Sequence, residues 1–347
     1  MSTITKEQIL DVLRTVQDPE LGKDLVSLNM VGDIAVEDGV VDVTIILTTP
    51  ACPLKSTIEK DVRQAILQIP GVRAVKVNFG SNVSTDDRIA KQLHLDVRNI
   101  VAIASGKGGV GKTTVAVNLA VALAKEGARV GILDADINGP NVPIMLGLKG
   151  HRVRVKDGKM VPAEAYGVYA ISIGFLVDKD VALLWRGPML HKALQQLFTD
   201  VAWPALDYLI VDMPPGTSDI QLSLAQTVPV TGGLIVAMPQ EVAIEDARRG
   251  LVAFRQLNVP VIGLVENMTG EIFGEGGGEK AALELRVPFL GRIPLDPRVR
   301  TGSDEGKPIV VADPQSPAAL ALRELARAVA ARVSMINADE NAHMGIV

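Results

Sequence analysis

Along the first 80 residues apolar positions are spaced one face at a time, whereas beyond residue 99 they gather into near-continuous runs. Ile9, Leu10, Leu13 and Val16 recur at helical spacing within residues 5–16, and Pro19 limits how far that helix extends. The segments 30–37 (MVGDIAVE) and 40–47 (VVDVTIIL) read as strands joined through Glu37, Asp38 and Gly39 in a hairpin turn. Residues 54–69 then read as an amphipathic helix and 72–79 (VRAVKVNF) as a further strand, which makes residues 1–80 a small α/β domain. The stretch 81–98 is polar, charged and weakly periodic, and reads as a linker with room for a short helix.

From residue 99 to 335 the pattern changes to fully apolar strands separated by helical stretches. Strands are expected at 99–104, before Asp134, before Asp212, and at 233–239, 261–267 and 287–294. Helices are expected at 115–127, 243–257, 279–286 and 317–334. Strands buried on both faces and alternating with helices predict an α/β fold, a doubly wound and mostly parallel sheet. The tail 336–347 is expected to be disordered.

Composition narrows the function classes. Hydrophobic residues make up 48% of the 347 and charged residues 22%, so the chain has the material for two packed domains. A net charge of −5 argues against nucleic acid or an anionic membrane as a partner reached by bulk electrostatics. One cysteine excludes an intrachain disulfide. The first residues lack a basic region followed by an apolar core, and no apolar run is long enough to cross a bilayer, so the expected location is the cytoplasm. His94, His151 and His191 are scattered, the fourth histidine is in the tail, and no metal-ligand spacing emerges.

The segment that carries chemistry is SGKGGVGKTT, residues 105–114, between a predicted strand and a predicted helix. Gly106, Gly111, Lys112 and Thr113 fill the pattern G-x-x-x-x-G-K-S/T. Glycines let successive backbone N–H groups face a phosphate, the helix brings its positive end, and Lys112 adds a mobile cation. Thr113 offers a hydroxyl to a magnesium ion. Expected nucleotide contacts run through Gly106, Lys107, Gly108, Gly109, Val110, Gly111, Lys112, Thr113 and Thr114, and the expected ligands are ATP and Mg²⁺.

Carboxylates stand at the tips of two later strands. Asp134 and Asp136 follow one, and Asp212 ends the other before a Pro-Pro-Gly turn. A lone aspartate there is usually a helix cap, but two at alternate positions near a phosphate loop suit metal contact and water activation. Asp134 and Asp212 are therefore candidate magnesium contacts, and Gly216 a candidate N–H donor to a terminal phosphate. Cys52 lies just before the helix starting near Leu54, with Lys55 close by. A helix dipole and a cation there favour a thiolate, a candidate iron-sulfur ligand; a small half-buried hydrophobe at a turn is the competing reading.

SGKGGVGKTT with its extra Lys107, DADINGPN, DMPPGTSD, MPQEVAIEDARR, VENM and WRGPM (185–189) together resemble the Mrp/ApbC group of iron-sulfur cluster carrier ATPases. That group belongs to the deviant-Walker class with MinD, ParA and the nitrogenase iron protein. The N-terminal region with TTPACPL resembles the metal-sulfur cluster assembly domain often fused to bacterial members. The resemblance implies a homodimer in which Lys107 reaches the partner's nucleotide. It also implies that Lys112 and Thr113 bind phosphate and Mg²⁺, that Asp136 positions the attacking water, that Asp212 supports the metal, and that Asn267 contacts adenine. Catalysis then rests on Lys107, Lys112 and Asp136, and partners are iron-sulfur scaffolds or client apo-proteins.

One departure bears on cluster carriage. Cluster-carrying members have a C-x-x-C pair soon after VENM; here VENM runs through Thr269, Gly270 and Glu271 into IFGEGGG without a cysteine. Cys52 is the single thiol, so a dimer offers two sulfurs against the four that a 4Fe–4S cluster takes. Three readings stay open: an ATP-hydrolysing cluster carrier, a nucleotide-switched ATPase that docks clients and holds no cluster, and a positioning ATPase like MinD or ParA.

Overall fold

The computed structural model describes residues 4–93, 95–136, 139–176, 187–216 and 228–344. Residues 137–138 of DADINGPN, 185–186 of WRGPM and 217–219 of DMPPGTSD lie outside them, as does His94. By contacts the chain divides into one unit of residues 1–84 with 330–347 and another of residues 85–329.

The first unit contains α1 (Lys6–Leu13), β1 (Val31–Glu37), β2 (Val40–Leu47), α2 (Lys55–Leu67) and β3 (Ala74–Ser81). Thr5 opens α1 with a capping box: its hydroxyl accepts from Gln8 N–H while the Gln8 side chain accepts from Thr5 N–H. The predicted hairpin turn forms, with Asp38 and Gly39 at φ of 49° and 76°, the two positive angles a tight two-residue turn requires. β2 pairs antiparallel with β1 and parallel with β3, so α2 is the crossover. Val41, Val43, Ile45 and Leu47 point to one face of β2 and pack with Ile58, Val62 and Ile66 of α2.

The second unit begins inside the predicted linker. It holds α3 (Asp87–Leu93), β4 (Ile100–Ala104), α4 (Lys112–Lys125), β5 (Val130–Asp134), α5 (Val142–Met145), β6 (Arg154–Lys156), β7 (Lys159–Val161), β8 (Ala163–Ala165), β9 (Val168–Ser172), α6 (Gly187–Thr199) and β10 (Tyr208–Asp212). There follow β11 (Gly232–Ala237), α7 (Glu241–Gln256), β12 (Val261–Thr269), α8 (Gly277–Leu285), β13 (Phe289–Pro294), α9 (Pro297–Glu305), α10 (Ile309–Ala312) and α11 (Pro317–Met344), whose last turns belong to the first unit. Residues 85–98 are not a free linker, because buried Asp86 accepts from Arg88 and from Thr231 Oγ1, and that hydroxyl accepts from Ile100 N–H.

The main sheet has the order β13-β12-β11-β4-β10-β5-β9-β8 and is parallel except for the β8–β9 hairpin at one edge. This is the doubly wound α/β fold expected. The strands β6 to β8 were not legible, because three-residue strands show no periodicity, and the five-residue β9 was not expected either; turns at Asp157-Gly158 and Tyr166-Gly167, all four at positive φ, create the two hairpins. The tail differs from expectation as well. Residues 336–344 continue α11, since no glycine or proline interrupts 318–344, Ile336 is buried, and Asn337 Nδ2 donates to Ser84 Oγ at 3.0 Å. Among the described residues no helix is long and apolar enough to cross a membrane.

Candidate functional site

β4 runs directly into the loop 105–111, and α4 begins at Lys112. Gly109 and Gly111 both stand at φ 83°, a left-handed conformation that a side chain resists. Gly106 is needed for closeness instead: a Cβ there would come within 2.0 Å of the Asp246 carbonyl carbon in α7. The loop is tied further by Ser105 Oγ donating to Lys107 O at 3.0 Å and by Asn267 Nδ2 donating to Val110 O at 2.8 Å. Asn267 thus lies beside the loop, with its amide engaged by backbone. Asn267 also lines a cavity of about 280 Å³ with Thr114, Met268, Asp296, Arg300 and Asp304.

The strand order explains the charge cluster. β10 lies between β4 and β5, with Asp212 in register with Ile103 on one side and Asp134 on the other. Two aspartates and the phosphate loop therefore meet at the C-terminal ends of adjacent strands, where open α/β sheets bind ligands. Lys112 Nζ donates to Asp212 Oδ1 at 2.5 Å, and Thr113 Oγ1 donates to Asp212 Oδ2 at 2.7 Å. Asp136 Oδ2 stands 4.0 Å from the same ammonium. Asp212 is 0% exposed and Lys112 6% exposed, so the pair is largely out of water. Burial pushes the Asp212 carboxyl above the usual carboxylate range, with Lys112 and Thr113 opposing the rise.

Asp134 is also 0% exposed, and the protein itself occupies its oxygens. Oδ2 accepts from Ser172 Oγ at 3.0 Å and from Val142 N–H at 3.3 Å, and Oδ1 accepts from Asp136 N–H at 3.2 Å. Burial, then the charge of Asp212, holds its carboxyl well above the ordinary carboxylate value. This geometry favours a positioning role for Asp134, setting the segment that carries Asp136, over the direct magnesium contact expected from the sequence. Ser172 was missed because β9 follows β5 only after an insertion; the register Asp134↔Ser172 brings them together.

Two further expectations change. The Gly216 N–H donates to Ser105 O at 3.0 Å, so it faces the loop backbone and must part from it before meeting a phosphate. Cys52 is half-buried, and its thiol is pushed up to about 11, first by burial, which the Leu54 N–H opposes most, with Glu20 and Asp18 adding to the rise and Lys55 opposing it least. Lys55 itself sits over the Phe79 ring at 4.9 Å. The helix-terminus argument for a thiolate therefore loses to desolvation. Lys107 is partly exposed, and among the described residues no hydrogen bond or ion pair engages its ammonium.

The segment after VENM is a closed turn. Gly270 N–H donates to Gly274 O at 3.1 Å and Gly274 N–H returns to Gly270 O at 2.7 Å. Glu266, 0% exposed, caps the start of α8: its carboxylate accepts from Gly278 N–H at 2.7 Å, Gly276 N–H at 3.0 Å and Arg292 Nε at 3.1 Å. A glutamate at the end of an otherwise apolar strand was the available signal for this role. Among the described residues no group of three or more His, Cys, Asp or Glu side chains is arranged to hold a metal ion.

The comparisons with known proteins follow the two units. The family described as NUBPL iron-transfer P-loop NTPase matches residues 96–330, and that described as iron-sulfur cluster assembly protein matches residues 6–79. Proteins named iron-sulfur cluster carrier protein are similar over nearly the whole length. The one from Deinococcus radiodurans is 52% identical, covering 96% of this chain and 97% of its own. That from Synechocystis sp. is 50% identical over 96% and 99%, and that from Escherichia coli 42% over 94% and 92%. Among solved structures, a nucleotide-binding protein of Archaeoglobus fulgidus in complex with ADP is 35% identical, with a TM-score of 0.56 over 64% of this chain and 92% of that one. The Pyrococcus furiosus cell division ATPase MinD is 26% identical, with a TM-score of 0.55 over 67% and 98%.

Proposed function

Because the chain belongs to the iron-sulfur cluster carrier family of P-loop NTPases and carries its cluster assembly domain, we propose that it is a magnesium-dependent ATPase acting in iron-sulfur cluster delivery as a cytoplasmic homodimer. The observation that carries the ATPase reading is the convergence of Lys112 Nζ and Thr113 Oγ1 on one Asp212 carboxylate at the tip of β10. A phosphate cation, a metal-binding hydroxyl and a metal-supporting carboxylate lie within hydrogen-bond reach of one another. The residues fit a magnesium ion, which Thr113 and Asp212 would hold and which would neutralise phosphate charge. Gly106 fits the loop to α7 with no room for a side chain, and the left-handed Gly109 and Gly111 turn the backbone so that its N–H groups face the phosphates.

When nucleotide enters, Lys112 would leave Asp212 for phosphate oxygens, and the freed Asp212 carboxylate would, with Thr113, hold the magnesium ion. Asp136, set by its own N–H on Asp134, orients the attacking water. Lys107 is available to act across a dimer on the partner's nucleotide, which its lack of an intrachain partner among the described residues supports. The test is inorganic phosphate release by the purified protein with ATP and Mg²⁺. Release that vanishes with EDTA is expected; no binding and no release would overturn the reading.

The closed turn at 270–274, the missing C-x-x-C pair and the raised Cys52 thiol favour a second reading of how clusters are handled. Here the nucleotide cycle docks a scaffold or client apo-protein, and the chain holds no cluster by itself. Anaerobic reconstitution with iron counting separates the two. Iron and a visible thiolate-to-iron band near 400 nm on the isolated protein support carriage. ATP-dependent retention of a scaffold by a protein without iron supports docking.

A further inference from the structure

Residues 147–161 gather Lys149, Arg152, Arg154, Lys156 and Lys159 around a single carboxylate, Asp157, in a chain of net charge −5. β6 and β7 join through Asp157 and Gly158 at φ of 51° and 76°, the turn geometry that suits a tight two-residue hairpin. β7 is anchored: Met160 N–H donates to Asp200 O at 2.7 Å and Met160 O accepts from Ala202 N–H at 2.8 Å. β6 has no further strand neighbour among the described residues.

Cross-strand partners share a face, so the register Arg154↔Val161 and Lys156↔Lys159 puts Arg154, Lys156 and Lys159 together on one side. All three are exposed. Lys156 stands directly opposite Lys159, a like-charge pairing that weakens a hairpin. Among the described residues no ion pair engages Arg154, Lys156 or Lys159, whereas exposed arginines elsewhere are paired, Arg298 with Asp296 and Asp313, and Arg300 with Asp304. The fold therefore bears a local repulsion that it does not offset internally.

We propose that this hairpin docks an acidic protein surface, one that presents a row of Asp or Glu carboxylates to Arg154, Lys156 and Lys159. Charge complementarity selects the acidic partner, because opposite charge relieves the Lys156–Lys159 repulsion and steers encounter. Protein fits better than nucleic acid, because residues 147–161 contain no Phe, Tyr or Trp for base stacking. Lysine on an open edge discourages strand addition, which leaves recognition to side chains. The inference extends the partner-binding part of the proposed function, and no hairpin residue takes part in the phosphate-loop cluster.

The test uses the full chain and a fluorescein-labelled poly-glutamate peptide, read by anisotropy at low salt. The wild type should bind with an affinity that falls as salt rises. Arg154→Glu with Lys156→Glu and Lys159→Glu should weaken binding roughly tenfold or more, the product of three exposed charge contacts. A control with the same charge change elsewhere, Lys60→Glu with Lys91→Glu and Lys125→Glu, should stay within about twofold. Phosphate release should be unaltered in the hairpin variant, which reports an intact fold. If release fails in the wild type while peptide binding holds, the ATPase reading falls and this one stands. Should the glutamate variant misfold, the glutamine triple variant is expected to lose affinity in the same direction, and no loss overturns the proposal. Equal loss in the control, tighter hairpin-dependent binding of poly-thymidine, or self-association that the hairpin variant abolishes in sedimentation also overturns it.

Discussion

Lys112 Nζ lies 2.5 Å from Asp212 Oδ1, joining two residues that stand a hundred positions apart in the chain. On the proposed reading, the cation for a phosphate is held by the carboxylate for a metal, and both are buried. Each therefore offsets the other's charge in a place where neither is well solvated.

Lys112→Ala should abolish ATP binding and also lower stability by about 3–5 kcal/mol, since Asp212 is left buried and unpaired. Adding Asp212→Asn should restore most of the stability and none of the binding. Urea unfolding and titration with a fluorescent ATP analogue measure the two effects separately.

Lys107→Ala should spare ATP binding and slow phosphate release on the order of 100-fold, as expected for a charge that acts on the transition state. Equal loss of binding in the Lys107 and Lys112 variants would contradict this division of labour.

The raised carboxyl of Asp134 fixes the sign of a pH effect. A carboxyl whose folded pKa lies above its ordinary value of 3.8 binds its proton more tightly when folded. Its contribution to stability is thus fully present below 3.8 and is lost as pH rises toward the folded value. The stability of the wild type relative to Asp134→Asn should fall with rising pH above that point and then level off. A difference that grows with pH would show that the carboxylate is stabilised on folding instead.

Cys52, with its thiol pushed up to about 11, should react slowly with iodoacetamide. At pH 8 roughly one molecule in a thousand carries the thiolate, and the rate should rise about tenfold per pH unit. Cys52→Ser should leave phosphate release unchanged. Fast alkylation at neutral pH would mean that the helix start governs the sulfur after all.

Glu266→Ala should cost about 3–5 kcal/mol, because it strands the Gly276 and Gly278 N–H groups and removes a buried partner of Arg292. Hydrogen exchange should report opening of residues 270–285 before the sheet. Unchanged protection there would show that the turn holds without its cap.

Much of the site was legible because its geometry is local. A strand, four glycines within six residues of Lys112, and a helix force the loop 105–111 whatever surrounds it. Strand tips at Asp134 and Asp212 followed from apolar runs, since a strand buried on both faces ends where charge begins. The hairpin of β6 and β7 was not legible, because three residues per strand leave no period to read.

The sequence by itself determined two α/β units, a phosphate loop, carboxylates at strand ends and one isolated thiol. Tertiary structure alone decided what each charge does. Placing β10 between β4 and β5 set Asp212 on Lys112 and Thr113, while β9 beside β5 turned Asp134 toward Ser172. Burial, against which a helix end and one lysine are weak, raised the Cys52 thiol. Propensity and periodicity act over a few residues, but the electrostatic state of a buried group is the sum over neighbours that strand order supplies.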